Sequence, residues 1–310
     1  MLEEPNAALA RAIAARVTGC APLAVRRFAN GLQHYVFDVD FTDHPSIVVR
    51  IGSRSAQSLM AGALHLSELL RPLGAPLPAI LGRDIEAEFP WLVLERLPGA
   101  DLAACIDDLS DEQRDRIAAN VVRAQAIARG VGSAGRYGYA VFPEQAPHAK
   151  WSHVLDASLA RSRQRVAFAG LFDLGMADIA EDTLAALRDE LDRIPPTPFL
   201  HDTTTKNVIV TPAGDFSGIV DVDDLCFGDP RYPAALTLAA LMAYGGPVGY
   251  VSTWLRQAGW MADRLFELYV SLFLLDLMGE HGQTFNGNQR ASSPEARATL
   301  RQAFRRNLAT

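Results

Sequence analysis

The chain has 310 residues, of which 49% are hydrophobic and 21% are charged, a balance typical of globular proteins. Its length predicts two domains, since a domain takes roughly 150 residues. The net charge of −7 argues against a nucleic-acid-binding protein, which usually carries a basic face.

The cysteines, the N-terminus and the longest uncharged run argue against three further classes. Cys20, Cys105 and Cys226 form no CxxC pair, which speaks against a zinc site or a disulfide framework and predicts reduced thiols in a cytoplasmic protein. The acidic N-terminus lacks the apolar region of a signal peptide. The uncharged run 233–251 is interrupted by a Gly-Gly-Pro sequence, which predicts a buried helix and a turn instead of a membrane span.

The N-terminal part is predicted to begin with a helix over 6–18, followed by strands. Residues 23–41 have β-type composition around Asn30-Gly31, and a third strand is predicted over 46–52. Gly31 lies where two of these strands meet. It either supplies a positive φ in the turn or lets the backbone approach a ligand phosphate.

A second helix is predicted over 55–71 from its periodicity. Its apolar stripe is formed by Leu59, Ala63, Leu66 and Leu70. Two further strands are predicted over 75–81 and 90–97, which completes a β-rich N-terminal part.

The dipeptide Pro98-Gly99 interrupts the chain after these strands and is the best candidate for a domain boundary. We therefore expect an N-terminal lobe over 1–97 and a C-terminal lobe over 98–310. The second lobe should be mostly helical, with one small hairpin.

The first long helix of this second lobe begins at Ser110, where the sequence SDEQ forms a capping box, and should end near Arg129. Further helices are predicted over 150–165, over 178–193 and through most of the chain after 234.

The segment FLHDTTTKNVIV (199–210) places polar residues between two apolar strands, and a hairpin follows in which NVIV and SGIVDV flank a turn. Asp202 follows the first strand, Asn207 opens the hairpin and Asp221 closes it. Because a hairpin brings its ends together, we expect one carboxamide and two carboxylates to converge. Clustered carboxylates repel each other, and Mg²⁺ would relieve this because it takes oxygen ligands. One carboxylate would remain to receive a hydroxyl proton, as in phosphoryl transfer.

The spacing of these motifs resembles the aminoglycoside phosphotransferase and choline kinase family. The pattern is Asp-x₄-Asn, a hairpin that ends in Ile-x-Asp, and then Gly-Asp-Pro. The likeness extends over most of the chain. It implies an α+β, bilobal protein-kinase-like fold with a small β-rich N-lobe that binds the nucleotide and a larger, mostly helical C-lobe for catalysis and substrate binding.

The resemblance also implies roles for residues that match the family's motifs. Asp202 would orient the acceptor hydroxyl and accept its proton. Asn207 and Asp221 would hold Mg²⁺. Arg50, in the third strand IVVRIG, stands at the position of the cation that contacts the α- and β-phosphates.

Further nucleotide contacts are implied in three places. Gly31 lies in NGLQHYVFDV, which resembles the hairpin that covers the nucleotide. Glu95 to Leu97 lie in LVLERLPG, which resembles the hinge where backbone groups meet the purine. Lys206 either reaches the γ-phosphate or is exposed to solvent.

The chain departs from the family pattern at several positions. His201 stands where the family usually has glycine, and we expect it to be a packed loop histidine rather than a catalytic one. The helix after the third strand lacks the usual glutamate, so Arg50 either has no ion-pair partner or pairs with Glu68. Asp223 and Asp224 either touch metal or substrate or form a solvated acidic turn.

The sequence thus predicts a small-molecule kinase that transfers the γ-phosphate of ATP or GTP to a hydroxyl of an aminoglycoside, an amino alcohol or a sugar, using Mg²⁺. We expect a nucleotide and a hydroxylated small molecule as partners, and neither nucleic acid nor a membrane. The sequence does not indicate an oligomeric state.

Two alternatives remain open from the residues alone. One is a kinase-like protein that binds nucleotide without catalysis, and the other is a Mg²⁺-dependent nucleotide-sugar glycosyltransferase that uses the DVD sequence at 221–223. The second leaves Asp202 and Asn207 unexplained. A protein kinase is not expected because GxGxxG and His-Arg-Asp sequences are missing, and there is no P-loop.

Overall fold

The structure is a computed structural model that describes residues 4–28, 34–285, 288–289 and 291–308. The chain forms two compact units. Unit 1 comprises Met1–Pro98, Gly218–Asp224 and Thr284–Gln289, and unit 2 comprises Gly99–Ser217, Leu225–Gln283 and Arg290–Thr310. The acidic segment that contains Asp221 therefore belongs to unit 1, whereas the loop that contains Asp202 belongs to unit 2.

Unit 1 begins with helix α1 (Ala7–Thr18), which confirms the helix predicted over 6–18. Its N-cap is Asn6, whose side chain accepts hydrogen bonds from the backbone N–H groups of residues 8 and 9 at 3.0 and 3.1 Å. The helix ends at Gly19, which has a φ of 71°. A polar cap and a terminal glycine are common helix boundaries.

An antiparallel sheet of five strands forms the centre of unit 1, in the order β1-β2-β3-β5-β4. The strands are β1 (Ala24–Arg27), β2 (Tyr35–Asp40), β3 (Ile47–Ile51), β4 (Ile80–Asp84) and β5 (Trp91–Glu95). Side chains of β2 alternate between buried and partly buried, as expected where one face of a sheet covers a core. That core lies between the sheet and α1 and includes Ile13, Phe37 and Val49.

Helix α2 (Gln57–Leu70) confirms the second predicted helix, but its buried face differs from the predicted stripe. Met60, Ala63, Leu66 and Leu70 are buried, whereas Leu59 is 41% exposed. Leu59 and Met60 both have helical spacing to Ala63, and Met60 is the one that packs against Leu92 of β5.

The strand predicted over 75–81 begins only at Ile80. Pro76 and Pro78 precede it, and proline has no N–H to donate to a strand ladder. Backbone pairing is therefore delayed to Ala79, whose carbonyl accepts from the N–H of Glu95 at 2.8 Å.

Unit 2 contains the longer helices. Helix α3 (Asp111–Arg129) begins with the predicted capping box, in which Ser110 Oγ accepts from Gln113 N at 3.2 Å and Gln113 Oε1 accepts from Ser110 N at 2.8 Å. The other helices are α4 (Trp151–Ala169), α5 (Gly175–Ala186), α6 (Arg188–Leu191), α7 (Tyr232–Tyr244), α8 (Gly249–Ala258), α9 (Arg264–Glu280) and α10 (Pro294–Leu308).

Helix α9 forms the centre of unit 2, where it packs against α4, α7 and α10. It is buried around most of its circumference, as expected of a helix that is apolar on most sides. Among the described residues, no helix has both the length and the apolar character that crossing a bilayer would need.

Short strands in unit 2 carry the polar loop. They are β6 (Ala100–Asp101), β7 (Gly138–Ala140), β8 (Thr197–Leu200), β9 (Val208–Val210), β10 (Phe216–Ile219, which ends in unit 1) and β11 (Leu225–Gly228). Two further short strands, β12 (Thr284–Phe285) and β13 (Asn288–Gln289), pair with each other in unit 1. The strand β11 lies between β7 and β8, and β9 pairs with β6.

The predicted hairpin is present. Strands β9 and β10 are joined by a turn in which Thr211 N donates to Asp215 O at 2.8 Å. The strand β10 ends at Ile219, so Asp221 lies two residues beyond the strand that it was predicted to close.

Gly99 is the first residue of unit 2 and follows the predicted boundary proline. It has a φ of 109°, and a Cβ there would lie 1.9 Å from the carbonyl oxygen of Val210 in β9. Only glycine fits this position, because any other residue would collide with backbone.

Candidate active site

The loop between β8 and β9 holds the carboxylate of Asp202 in one orientation. The backbone N–H and the hydroxyl of Thr204 donate to Asp202 Oδ1 at 3.3 and 2.8 Å. Both bonds use the same oxygen, as in an Asx turn. The three threonines that follow Asp202 are buried, so they anchor the loop while Asp202 itself is partly exposed.

Asn207 closes the same loop. Its Nδ2 donates to the carbonyl oxygen of Asp202 at 3.1 Å, and its backbone N–H donates to the carbonyl of Thr204 at 2.9 Å. Because these bonds use the nitrogen atoms, the Oδ1 of Asn207 is left to act as an acceptor or metal ligand. The predicted proximity of Asp202 and Asn207 is therefore present within unit 2.

Gln125 of α3 supports the start of this loop, a role that was not predicted from the sequence. Its amide exchanges two hydrogen bonds with the backbone of Leu200, each 2.9 Å long, and its Nε2 also lies 3.1 Å from Thr203 Oγ1. Gln125 is 1% exposed. A glutamine on the buried face of α3, four residues after Val121, is the signal that could have identified it.

His201 packs among aromatic side chains. Its ring lies edge-on to that of Tyr139, with centroids 4.7 Å apart, and the Tyr139 hydroxyl lies 3.4 Å from Nε2. Tyr232 and Phe273 lie near its other sides. Burial lowers the pKa of His201 to about 4, although Asp276 partly opposes this, so the ring is neutral at neutral pH.

Lys206 lies in the same loop, with its Nζ 4.8 Å from the centre of the Tyr244 ring. This cation–π geometry holds the ammonium group against an aromatic face. Lys206 is partly buried, and its contact with a γ-phosphate stays a prediction.

Unit 1 contains a separate charged cluster around Arg50 of β3. Arg50 Nη2 lies 2.5 Å from Asp223 Oδ2 and 3.0 Å from Asp221 Oδ1. His34 Nε2 lies 3.1 Å from the same oxygen of Asp223. Arg50 is 5% exposed, so a buried cation is neutralised here by the acidic segment after β10.

Asp221 adopts a left-handed backbone conformation with a φ of 65°. It is the only non-glycine residue with positive φ in the part of the chain that the structure describes. Such a conformation costs roughly 1–2 kcal/mol, and strained residues concentrate at functional sites. The side chain is 55% exposed, so its carboxylate can be reached from solvent.

The three aspartates of this segment have different electrostatic environments. Burial acts to raise the pKa of Asp223, but Arg50 and His34 outweigh it and lower the pKa to about 2. Burial raises the pKa of Asp224 to about 6, and the carboxylates of Asp223 and Asp221 add to this increase. Asp223 is therefore held as an anion beside Arg50.

The remaining predicted nucleotide contacts lie at the end of β5. Glu95 is exposed, and its carboxylate accepts from Ala79 N at 3.0 Å. Leu97 is 8% exposed, and its carbonyl accepts from Arg96 Nη1 at 3.0 Å. Gly31 lies outside the described residues.

Asn207 and Asp221 supply the oxygen atoms that Mg²⁺ prefers. The amide nitrogen of Asn207 is already bonded, which leaves its oxygen, and the carboxylate of Asp221 is half-exposed. These donor groups fit the ion. Among the described residues, no group of three or more His, Cys, Asp or Glu side chains is arranged to hold a metal. The predicted meeting of Asn207 with Asp221 stays a prediction.

Known families and structures resemble this chain. Residues 24–268 match the model of a family described as the phosphotransferase enzyme family, APH. This match spans well over half of the chain. No curated protein sequence matches the chain.

Several solved structures share the fold. The GDP and kanamycin complex of APH(2")-IIia has a TM-score of 0.68 and 16% identity, with 96% of this chain and 97% of that chain covered. A thermostable mutant of aminoglycoside phosphotransferase APH(4)-Ia, in its apo form, has a TM-score of 0.66 and 16% identity, with 97% of this chain and 100% of that chain covered. APH(2'')-Ib with bound ADP has a TM-score of 0.63 and 13% identity, with 97% of both chains covered. These similarities confirm the predicted protein-kinase-like α+β fold.

Proposed function

The chain belongs to the phosphotransferase enzyme family, and from this premise we propose that it is a small-molecule kinase that uses Mg²⁺ and a nucleoside triphosphate. It transfers the γ-phosphate to a hydroxyl group of a small acceptor. The observation that carries the proposal is the fixed position of Asp202. Its carboxylate accepts from Thr204, and its backbone carbonyl accepts from Asn207 Nδ2.

Asp202 is the proposed catalytic residue. Its Oδ1 is occupied by Thr204, so Oδ2 is the oxygen that would accept the proton of the acceptor hydroxyl. The acceptor oxygen then forms a bond to the γ-phosphorus, the bond from that phosphorus to the β,γ-bridging oxygen breaks, and a nucleoside diphosphate leaves. A positioned carboxylate is the arrangement that kinases use for this step.

Asn207 and Asp221 are the proposed magnesium ligands, through one amide oxygen and one carboxylate. Mg²⁺ bound there would neutralise charge on the β- and γ-phosphate oxygens. The left-handed backbone of Asp221 supports this role, because strain of this kind is retained where it serves a function.

Arg50, Lys206 and the end of β5 are the proposed nucleotide contacts. The Nε of Arg50 is buried and has no hydrogen-bond partner among the described residues, which suits contact with a phosphate oxygen. Lys206 would reach the γ-phosphate. The carbonyl of Glu95 and the N–H of Leu97 would meet the purine, since the other backbone groups there, Glu95 N and Leu97 O, are already bonded. Gly31 would cover the phosphates.

These roles assign residues 1–97 to nucleotide binding and residues 98–310 to catalysis and acceptor binding. Solved complexes of similar fold hold GDP with kanamycin and ADP with hygromycin B, so both ATP and GTP are reasonable donors to test. Aminoglycosides, amino alcohols and sugars are the acceptor classes. The need for nucleoside triphosphate and the unpaired spacing of the cysteines favour a cytoplasmic location.

The test is acceptor-dependent release of nucleoside diphosphate by the purified chain, with ATP or GTP and each acceptor class. On an acceptor that supports turnover, Asp202→Asn should lower kcat by about 10²- to 10⁴-fold, as for loss of a general base. Asp215→Asn is the matched control, since Asp215 lies in the exposed hairpin turn of the same unit. Equal kcat for the two variants would reject the role of Asp202. If the wild-type chain turns over no acceptor with either ATP or GTP, a nucleotide-binding protein without catalysis would be favoured.

A further inference from the structure

The partner of Arg50 does not come from helix α2. The only acidic residue of that helix is Glu68, and it forms an ion pair with Arg83 of β4 instead. Glu68 is 58% exposed, whereas Arg50 is almost fully buried. The two predicted alternatives for Arg50, no partner or Glu68, are therefore both wrong.

Asp223 is the main partner of Arg50. Its Oδ2 lies 2.5 Å from Arg50 Nη2, and its side chain is only 15% exposed. A buried guanidinium without a counter-charge is strongly unfavourable, so removing its partner should have a large effect. The contact also constrains where the guanidinium points, because it holds the Nη2 corner of a rigid planar group.

His34 holds Asp223 from the other side. The ring of His34 is 4% exposed, and its Nε2 lies 3.1 Å from Asp223 Oδ2. Arg50 and His34 thus converge on one oxygen atom. The other oxygen, Oδ1, is buried and has no hydrogen-bond partner among the described residues.

Asp221 also touches Arg50, but it differs from Asp223 in accessibility. Its side chain is 55% exposed, and its distance of 3.0 Å to Arg50 is longer. Asp221 can therefore exchange Arg50 for another positive partner without burying an unpaired charge, whereas Asp223 cannot. Asp221 is thus the more accessible of the two carboxylates, whereas Asp223 is committed to Arg50.

We propose that Asp223, held by His34, is the positioning residue that aims the Arg50 guanidinium at the phosphates of the nucleotide, a task that helix α2 does not perform in this chain. The inference rests on the proposed function for its phosphate ligand, and on the ion-pair geometry for its residues. It follows that the direction of Arg50 depends on the segment after β10 and not on the position of α2.

The first experiment tests the pairing without nucleotide. Arg50→Met, Asp223→Asn and the double variant form a cycle in thermal unfolding, and Arg50→Met combined with Glu68→Gln forms the matched control cycle. We expect strongly non-additive Tm shifts for the first cycle and additive shifts for the control, since only residues in contact couple. Additive shifts in the first cycle would overturn the inference.

The second experiment measures the affinity of the full chain for ADP, with Mg²⁺ and with EDTA in its place. Asp223→Asn should weaken ADP binding by about 10- to 100-fold in both conditions, as typical for loss of a partner that orients a ligand-binding group, while Glu68→Gln binds as the wild type does. Asp223→Glu, which keeps the charge, should recover part of the affinity.

The outcomes separate this inference from the proposed function. A loss confined to the Mg²⁺ condition would make Asp223 a metal ligand and overturn its positioning role, and so would a larger loss for Glu68→Gln than for Asp223→Asn. A wild-type chain that binds neither ADP nor GDP would overturn the proposed function, and the unfolding cycle would still decide whether Asp223 holds Arg50.

Discussion

Gln125 and Leu200 exchange two hydrogen bonds, each 2.9 Å long, between the side-chain amide of helix α3 and the backbone at the end of β8. Leu200 lies two residues before Asp202, and the same amide contacts Thr203 on the other side of it. A buried glutamine therefore bonds to residues before and after the proposed catalytic aspartate. The backbone that carries Asp202 is fixed by a helix that is distant in sequence.

Gln125→Leu removes both bonds and leaves the N–H and the carbonyl of Leu200 facing an apolar side chain. We expect a loss of about 1–3 kcal/mol in the free energy of unfolding for each group left without a partner. We also expect a lower kcat at a temperature where the variant is folded, because the loop that carries Asp202 is no longer held. Chemical unfolding and steady-state kinetics measure the two effects.

Gln257→Leu is the control for this substitution. Gln257 also donates from Nε2 to a backbone carbonyl, that of Asp115, at 2.8 Å, but it is exposed. Water replaces its bond, so the free energy of unfolding should change by less than about 0.5 kcal/mol. If Gln125→Leu lowers stability yet keeps the wild-type kcat, Gln125 supports the fold without positioning Asp202.

Asp221 can be tested for metal binding and backbone strain with two substitutions. Asp221→Ala and Asp221→Gly both remove the carboxylate, so both should abolish the Mg²⁺-dependent part of nucleotide binding, measured by titration with and without Mg²⁺. At a φ of 65°, glycine avoids the steric cost that alanine bears. The glycine variant should therefore be the more stable of the two by about 1 kcal/mol.

Comparison of the two variants separates these roles. Equal stability in chemical unfolding would show that the left-handed backbone does not persist in solution. Mg²⁺-dependent affinity that survives in both variants would remove Asp221 from the metal site, whatever their stability.

Gly99→Ala tests the close approach at the start of unit 2. The added Cβ would lie 1.9 Å from the carbonyl oxygen of Val210, which is far inside van der Waals contact, and the φ of 109° is unfavourable for alanine. We expect a loss of more than about 2 kcal/mol in the free energy of unfolding, measured by chemical denaturation.

Gly259→Ala is the matched control, because Gly259 also has positive φ, at 72°, but a Cβ there meets nothing within 4 Å. It should lose only the conformational part, about 1 kcal/mol. Similar losses for both variants would mean that the backbone at Gly99 moves away from Val210 at little cost.

Local signals in the sequence were sufficient for most elements. The capping box at Ser110 predicted the start of α3 through bonds between neighbours in the chain, and the structure has local signals of the same kind at Asn6 and Gly19. The polar loop around Asp202 was also visible, because polar residues between two apolar strands must turn toward a ligand, solvent or each other.

Contacts between distant segments were not visible in the same way. Arg50 and Asp223 are 173 residues apart, and Gln125 and Leu200 are 75 apart. No periodicity or capping rule connects such positions, so the sequence offers only the neighbouring helix as a source of a partner for Arg50, whereas the structure pairs Arg50 with Asp223. Leu59 was assigned to the buried face of α2 for a related reason, since only tertiary packing decides which of two adjacent stripes is covered.

The buried ring of His201 predicts how stability depends on pH. Burial among aromatic side chains lowers its folded-state pKa to about 4, below the ordinary value of about 6.5 that it regains on unfolding. Between these two values the unfolded chain binds a proton that the folded chain does not, so this residue's contribution to stability is fully present above pH 6.5 and is lost as the pH falls toward 4. Tyr139, Tyr232 and Phe273 pack around the ring, and the charges of Asp276 and Arg161 act on its pKa in opposite directions.

The expected loss over this window is on the order of 3 kcal/mol, from about 1.4 kcal/mol for each pH unit. His201→Gln should flatten the profile between pH 6.5 and 4, whereas His153→Gln, at an exposed position of helix α4, should keep the wild-type profile. Chemical unfolding at half-unit pH steps measures the three curves. If wild type and His201→Gln lose stability in parallel, the ring is protonated in the folded chain over this pH range. The interpretation of His201 as a neutral, packed histidine would then be wrong.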